Sequence, residues 1–201
     1  MKTIIGITQR VTVISSTGEK RDSLAQDWYP FLQALDIPWL VLPNNPEIAL
    51  SVAKKFNINA FILSGGDDIG LFPERDKTET ALLDLAKKEY SPVVGVCRGF
   101  QFICKWLGGE LISTESEIHC AKRHTVKFAD GNEREVNSYH NFSPDIKNTA
   151  LHPLAYSVKD NSLEMAVCEN MLGIMWHPER ELKPNSEDLN FFKKHLLNFT
   201  K

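Results

Sequence analysis

The chain has 201 residues, and its 23 Lys and Arg residues against 26 Asp and Glu residues give a formal net charge of -3, which provides no electrostatic argument for binding nucleic acids or anionic membranes. With 42% hydrophobic and 24% charged residues, the composition is that of a globular protein and excludes disordered and fibrous chains. A chain of this size can bury a sizeable core, so we expect one compact domain over residues 1–201 that needs no disulfide or metal staple.

The first half of the chain alternates strands and helices. A β-branched run at residues 3–8 predicts a buried strand, and after a loop the apolar residues at three- and four-residue spacing predict a helix over residues 23–35. The alternation continues with strands at residues 39–42, 60–63 and 93–96 and with helices at residues 47–56, 80–89 and 99–107. It predicts an α/β fold with a mostly parallel central sheet flanked by helices.

The rhythm changes after Gly108 and Gly109, which can end the preceding helix. Between residues 110 and 170 we predict only short extended segments, separated by polar loops, at residues 125–128 and 165–167. A last strand is predicted at residues 171–175. A terminal helix is predicted over residues 186–199, because it begins with a serine that can cap it, has acidic residues in its first turn and has basic residues further along.

The cysteines and the N-terminus bear on the cellular compartment. The four cysteines form no CxxC pair, which favours reduced thiols over a disulfide framework or a zinc site. The apolar run at the N-terminus is too short for a secretory signal, and no run approaches the roughly 18 residues of a membrane span. We therefore expect a cytoplasmic protein.

The segment PVVGVCRGFQ at residues 92–101 is the most informative one. An apolar strand runs into Gly95, Cys97 and Gly99 in a G-x-C-x-G pattern, and a helix follows. This pattern is typical of a nucleophile elbow, in which glycines relieve crowding around a strained nucleophile and the next amide faces the oxyanion. The helix N-terminus also favours a thiolate, so Cys97 is the candidate nucleophile. The alternative is a small buried cysteine in a tight turn.

A thiol nucleophile needs a base and a group that orients the base. The segment GIMWHPER at residues 173–180 offers both, because His177 and Glu179 follow an apolar strand. His177 would carry the proton of Cys97, and Glu179 would fix its tautomer. A solvated surface loop is the alternative.

The segment FILSGGDD at residues 61–68 is a third strand that ends in glycines. Gly65 and Gly66 can present backbone N–H groups to an oxyanion without obstruction by a side chain. Asp67 and Asp68 could form a carboxylate pair or a metal site, but a loop or helix cap is favoured because no third ligand is nearby.

Together the motifs SGGDD, GVCRGFQ, VNSYH and WHPER resemble the class I glutamine amidotransferase-like superfamily, and within it the branch that contains γ-glutamyl-γ-aminobutyrate hydrolase. The resemblance covers nearly the whole chain and implies a flavodoxin-like α/β fold. It implies that Cys97, His177 and Glu179 form a catalytic triad. It also implies that the backbone amides of Gly66 and Arg98 bind the oxyanion.

The resemblance further implies a site for the γ-glutamyl group, with a loop at residues 136–142 around its α-amino and α-carboxylate groups. The implied substrate-binding residues are Gly65, Gln101, Asn137, Ser138, Tyr139, His140, Asn141 and Phe142. The branch often has His-His-Gln where this chain has His140, Asn141 and Phe142. This departure affects the part of the site that would select the leaving group. A loop histidine bonded to backbone is an equally good interpretation of His140.

Basic residues after the first strand could contact a leaving group that carries phosphates. One substrate with such a leaving group is γ-glutamyl-CDP-amidate of capsule phosphoramidate synthesis. Arg10 and Arg21 are the candidates, because loops that follow parallel strands lie at the carboxyl edge beside Cys97. A solvated basic loop is the simpler alternative.

His119, Cys120 and His124 are clustered like metal ligands, but no fourth ligand follows at a spacing typical of known sites. A polar loop is the favoured interpretation, and no metal is expected.

The leading hypothesis is a free-standing hydrolase that cleaves a γ-glutamyl amide through a glutamyl thioester on Cys97 and releases glutamate and an amine or amidate. We expect no cofactor, a small-molecule γ-glutamyl substrate, and neither nucleic acid nor membrane as a partner; a homo-oligomer is left open. One alternative is a glutaminase subunit that supplies ammonia to a partner synthetase. Another is a catalytically idle regulatory module, which the complete triad disfavours.

Overall fold

The computed structural model describes residues 2–198. Over these residues the helices are α1 (Trp28–Leu35), α2 (Pro46–Lys55), α3 (Pro73–Glu89), α4 (Arg98–Trp106), α5 (Ser116–His119) and α6 (Ser186–Asn198). The strands are β1 (Ile5–Ile7), β2 (Arg10–Val13), β3 (Lys20–Ser23), β4 (Trp39–Val41), β5 (Ala60–Leu63), β6 (Val93–Val96), β7 (Glu110–Ser113), β8 (Cys120–Phe128), β9 (Glu133–Tyr139), β10 (Phe142–Asp145), β11 (His152–Ser157), β12 (Leu163–Cys168) and β13 (Met171–Ile174). A 3₁₀ turn covers Pro178–Arg180.

One sheet with strand order β4-β1-β5-β6-β13-β12-β11-β8-β9 organises the fold. The strands β4, β1, β5, β6 and β13 are parallel to their neighbours in this set, whereas β12, β11, β8 and β9 continue the sheet in antiparallel pairs. We call these two sets the parallel half and the antiparallel half. This topology confirms the predicted α/β fold with a large, mostly parallel central sheet flanked by helices.

Apolar side chains cover both faces of the sheet. On one face the predicted stripe of Trp28, Phe31 and Leu35 is buried, and the Phe31 ring packs edge-on against Phe192 of α6 at 4.9 Å between centroids. On the other face α2, α3 and α4 bury a second cluster of aliphatic side chains. Each such side chain contributes about 1.5–3 kcal/mol when it is fully buried. Cys104 of α4 is also part of the buried core.

Three predictions of helices and loops in the first half of the chain were wrong. The segment between β1 and α1 is a β2–β3 hairpin instead of a loop, and α1 begins at Trp28 instead of residue 23. The sequence KRDS of β3 is exposed and entirely polar, so it lacks the alternation that indicates a strand. Helix α3 begins at Pro73 instead of residue 80, because its first two turns bury charged residues instead of apolar ones.

The region from residue 110 to residue 170 has more strands than predicted. The two predicted segments fall within β8 and β12, but β7, β9, β10 and β11 were missed. The predicted substrate loop at residues 136–142 is also wrong as a loop, because residues up to Tyr139 belong to β9. The predicted helix at 186–199 is confirmed through Asn198, and residue 199 lies outside the described residues. No helix among the described residues combines the length and the apolar character of a membrane span.

Candidate active site

The carboxyl ends of adjacent parallel strands bring the three predicted motifs together. In β6 and β13, Val96 pairs with Ile174, so the chain leaves both strands at the same edge just before Cys97 and His177. Strand β5 lies on the other side of β6 and leads directly to the SGG segment. Open α/β sheets bind ligands at this edge.

Cys97 occupies a strained turn between β6 and α4. Its φ of 51° and ψ of −106° lie in a region that favours glycine, which costs about 1–3 kcal/mol for another residue. Its amide donates to the Ile174 carbonyl oxygen at 2.7 Å, which fixes the turn to β13. The next residue, Arg98, is the first of α4, so its amide has no acceptor within the helix. This turn has the backbone geometry expected of a nucleophile elbow.

The glycines around the turn are required by close packing. A Cβ at Gly95 would lie 2.6 Å from the Gly99 carbonyl carbon, and a Cβ at Gly99 would lie 2.0 Å from the Leu63 carbonyl oxygen. On the neighbouring strand, a Cβ at Gly173 would lie 1.9 Å from the Phe100 ring. Larger residues would therefore push α4 away from the sheet and displace Cys97.

His177 and Glu179 form a buried pair beside this turn. The Nδ1 atom of His177 lies 2.6 Å from Oε1 of Glu179, and both side chains are at most 3% exposed. Burial alone would lower the pKa of His177, but the negative charges and hydrogen bonds of Glu179 and Cys97 outweigh it and raise the pKa to about 9. The site thus favours the protonated imidazole, with Glu179 bonded to Nδ1.

Asn137 holds the backbone of His177 in place. Its Oδ1 accepts from the His177 amide at 2.8 Å, and its Nδ2 donates to the His177 carbonyl at 2.8 Å and to Glu181 at 2.9 Å. Both amide protons are therefore used within the protein. The predicted contact of Asn137 with substrate stays a prediction, and it would require one of these bonds to break. Sequence reasoning missed the clamp because nothing in the motif VNSYH specifies its partner.

The SGG segment lies against the histidine. A Cβ at Gly65 would lie 2.6 Å from Cε1 of His177, so only glycine allows this approach. Gly66 has a φ of +137°, which orients its amide in a way that other residues rarely adopt. Arg75 fixes the segment from below by donating to the carbonyls of Ser64 at 2.7 Å and Gly65 at 3.1 Å.

A buried ionic network supports both the elbow and this segment. Glu79 accepts from Arg75 at 3.1 Å and from Thr8 at 3.0 Å, and it is also bonded to Arg98, whose guanidinium reaches Asp76 as well. Arg75 and Glu79 are fully buried, and Arg98 is 2% exposed. The Arg98 side chain thus anchors the turn, and the role of its backbone amide at the oxyanion stays a prediction. This network was not predicted, because its members come from separate segments of the chain.

The structure places the predicted glutamyl-binding residues in different environments. Tyr139 is 43% exposed, and its ring meets the His177 ring edge-on at 5.6 Å. Gln101 donates to the Phe142 carbonyl at 2.9 Å, which links α4 to β10. Ser138 is fully buried, with its Oγ 3.2 Å from His119 Nδ1. Asn141 is exposed and accepts from the Cys120 thiol. The substrate contacts of these residues stay predictions.

A cleft beside His177 collects cationic side chains. Arg10 and Arg180 line it together with Gly65, Gly66 and Glu179. Arg10 is ion-paired with Asp67 at 2.7 Å, so Asp67 is a salt-bridge partner in a loop instead of a helix cap. Arg21 lies in the exposed hairpin, bonded to Glu19, and is not among the described residues that line the cleft. Arg180, whose guanidinium stacks 4.4 Å from the Tyr139 ring centre, was missed although it directly follows Glu179.

A second group of ionisable residues lies in the antiparallel half. It consists of His119, His124, His140 and Glu164, all at most 3% exposed, and we call it the histidine cluster. Its members come from α5, from β8, from the residue after β9 and from β12. The expectation of a polar loop around His119 and His124 was therefore wrong, because both are core residues.

Comparisons with known proteins agree with this geometry. The model of the peptidase C26 family matches residues 3–179. The chain is 36% identical to γ-glutamyl-CDP-amidate hydrolase of Campylobacter jejuni, over 88% of this chain and 90% of that protein. It is 28% identical to a glutamine-hydrolyzing GMP synthase subunit of Methanococcus aeolicus, over 81% of this chain and 87% of that one. A glutamine amidotransferase structure from Thermotoga maritima has a TM-score of 0.70 at 15% identity, over 98% of this chain and 84% of that one.

Proposed function

The chain belongs to the peptidase C26 family of class I glutamine amidotransferase-like proteins, and we propose that it hydrolyses a γ-glutamyl amide through a glutamyl thioester on Cys97. Membership of this family makes it a cysteine-type hydrolase. The proposal assigns Cys97, His177 and Glu179 as nucleophile, proton carrier and orienting carboxylate. Its products are glutamate and an amine or amidate.

One observation carries the proposal: a cysteine in a strained strand-to-helix turn shares a buried site with a histidine that is paired with a carboxylate. Burial lowers the pKa of His177, but its contacts with Glu179 and Cys97 outweigh burial and raise it, so both side chains lie against the imidazole. A thiolate and imidazolium pair of this kind is poised for nucleophilic attack.

In the first half-reaction, Sγ of Cys97 attacks the γ-carbonyl carbon of the substrate, and the carbonyl oxygen gains negative charge. The amides of Gly66 and Arg98 donate to that oxygen, and one such donor is typically worth about 10²–10³ in rate. The C–N bond then breaks, and the leaving nitrogen takes the proton from Nε2 of His177. The glutamyl group remains on sulfur as a thioester.

In the second half-reaction, water attacks the thioester carbon and loses a proton to His177. The C–S bond breaks, glutamate leaves, and the thiolate and the protonated imidazole are restored. Glu179 keeps the Nδ1–H in place, so that only Nε2 exchanges protons.

The leaving group is proposed to carry phosphates, as in γ-glutamyl-CDP-amidate. Two features support this: the 36% identical relative is named for that substrate, and the cleft beside His177 contains Arg10 and Arg180. Arg21 is the weaker candidate because it is not among the described residues that line this cleft. Arginine suits this role because its planar donors match phosphate oxygens.

The test measures glutamate release from glutamine, γ-glutamyl-γ-aminobutyrate and γ-glutamyl-CDP-amidate with the purified chain alone. We expect the highest kcat/KM for the phosphate-bearing amide. Arg10→Ala should lower that value about ten- to a hundredfold, with little change for an uncharged γ-glutamyl anilide, whereas Arg21→Ala serves as a matched control. Equal losses of Arg10→Ala on both substrates would rule out a phosphate contact.

The alternative is a glutaminase subunit that donates ammonia to a synthetase. It is favoured by the similarity to the glutamine-hydrolyzing GMP synthase subunit of Methanococcus aeolicus. Slow glutamine hydrolysis that a synthetase stimulates, with no turnover of substituted amides, would support it. A cytoplasmic location is part of the proposal, since the four cysteines are free thiols and the mechanism needs a reduced one.

A further inference from the structure

The histidine cluster has polar atoms without hydrogen-bond partners among the described residues. These atoms are Nε2 of His124, both ring nitrogens of His140 and both carboxylate oxygens of Glu164. All three side chains are more than nine-tenths buried, and Glu164 is fully buried. Buried polar groups are almost always satisfied by a partner, so these atoms call for a group from outside the chain.

The distances indicate what kind of group fits. Oε1 of Glu164 lies 3.6 Å from Nδ1 of His119 and 3.5 Å from Nε2 of both His124 and His140. These separations exceed normal hydrogen bonds, which are about 2.7–3.2 Å. A tetrahedral Zn²⁺ site with bonds of about 2.0–2.1 Å holds its ligand atoms roughly 3.4 Å apart. The distances from Glu164 Oε1 to the histidine nitrogens thus match the separation of two ligand atoms in such a site.

The side chains are also oriented as metal ligands. The ligand atoms of His119, His140 and Glu164 all lie within 4.8 Å of one another. Nε2 of His119, away from this centre, lies 2.8 Å from Asp160 Oδ2, and Nδ1 of His124 lies 3.2 Å from Ser157 Oγ. Partners on the far ring nitrogen are what fix and orient metal-binding histidines.

We infer that His119, His140 and Glu164 bind one divalent transition-metal ion, and that the ion is Zn²⁺. Two imidazoles and one carboxylate suit Zn²⁺, and a water molecule would complete its four-fold coordination. The ion would tie α5, the end of β9 and β12 together at one point, with His124 beside it. The site takes no part in the proposed reaction, and it would withdraw His140 from the predicted contact with substrate.

The first test is the metal content of the full chain. The protein is incubated with excess Zn²⁺, desalted and analysed by plasma mass spectrometry. We expect about one zinc per chain. Loading with Co²⁺ should give the intense visible absorption of a tetrahedral site with nitrogen and oxygen ligands. Failure to retain zinc, together with no Co²⁺ spectrum, would overturn the proposal and leave a buried water as the occupant.

Variants then locate the metal. Glu164→Gln keeps the shape of the side chain but weakens its coordination, so zinc retention should fall to a small fraction of an equivalent. His152→Ala removes an exposed histidine from β11 and should retain zinc fully. Asp160→Asn alters the partner of His119 Nε2 without removing a ligand, and we expect it to weaken zinc affinity about ten- to a hundredfold.

Melting temperatures distinguish metal binding by Glu164 from a role of this side chain in packing alone. A chelator should lower the Tm of the wild-type chain and have no effect on Glu164→Gln. If Glu164→Gln does not fold, the chelator effect and the Co²⁺ spectrum of the wild type still decide the question. Equal zinc content in Glu164→Gln and the wild type, or a wild-type Tm that ignores the chelator, would contradict the proposal.

Discussion

The two halves of the sheet satisfy their buried ionisable groups in different ways. At the edge of the parallel half, Glu79 binds Arg75 and Arg98, and Glu179 binds His177, so each of these buried charges has an opposite charge within the chain. In the antiparallel half, the histidine cluster surrounds Glu164 at distances too long for hydrogen bonds. The first region is complete as a folded chain, whereas the second is proposed to need an ion.

The two regions therefore gain their rigidity in different ways. Paired charges in the parallel half position a reacting thiol without outside help, and they resist change because a removed partner leaves a buried charge behind. The antiparallel half contributes to the chemistry through Asn137, which reaches across to hold His177.

Cys97→Ala should give the largest effect, a loss of about 10⁴-fold or more in kcat, because it removes the nucleophile and only a small volume. The Tm should stay close to that of the wild type. Cys104→Ala is the matched control, since Cys104 is a buried thiol of α4 whose pKa burial raises to about 12. Comparable activity of the two variants would remove Cys97 from the mechanism.

Glu79→Ala should destabilise the parallel half most strongly, with a loss of about 3–5 kcal/mol in the free energy of unfolding, because two buried guanidinium groups lose their partner. Burial alone would raise the pKa of Glu79, but Arg98 and Arg75 lower it below the ordinary 4.5. The stabilisation is therefore present above that value and is lost as the pH falls below it. Urea unfolding at neutral and acidic pH measures both effects.

Glu74 lies near the start of the same helix and serves as the control, because it is exposed and pairs with Lys20 at the surface. Glu74→Ala should leave the unfolding transition unchanged. If Glu79→Ala were as stable as Glu74→Ala, the ionic network would not be what holds the elbow.

The sequence predicted those parts of the site whose residues all lie within one short motif. The G-x-C-x-G turn, the glycines after β5 and the pair His177 and Glu179 each lie within a short run of consecutive residues, and their strands are apolar runs. The fold of the parallel half could therefore be predicted nearly strand by strand. The placement of these motifs at one edge follows from the parallel topology.

The histidine cluster could not be predicted in the same way. His119 and Glu164 are separated by 45 positions in the sequence, and antiparallel pairing alone brings them together. The strands of this half are also half-exposed and partly polar, as in the pattern of β8, so their signals are weak. The sequence contains no sign that His124 and His140 both approach Glu164, which the structure shows at 3.5 Å from each.

Asn137→Ala should reduce kcat by about ten- to a hundredfold with little change in KM, because the His177 backbone loses both of its clamping bonds while the substrate site is kept. Asn132→Ala, at the far turn of the same strand pair, should be indistinguishable from the wild type. A rise in KM without a fall in kcat would instead favour the predicted contact with substrate.

The pH dependence gives the smallest and most specific effect. Since His177 must be protonated to protonate the leaving nitrogen, kcat/KM should fall as the pH rises through about 9. Because the folded pKa lies above the ordinary 6.5, the pair also stabilises the fold fully below 6.5 and loses this contribution toward pH 9. Glu179→Gln removes a charge that raises this pKa, so the descending limb should move to lower pH. An unmoved limb would assign the titration to another group.

The central claim is that the glutamyl group is carried on Cys97, and intact-mass measurement of an acid-quenched reaction tests it most directly. Within the first turnovers, the wild-type chain should gain the mass of one glutamyl group, peptide mapping should place it on Cys97, and Cys97→Ala should show none. A glutamyl adduct on another residue, or steady glutamate release by Cys97→Ala without any adduct, would contradict the account.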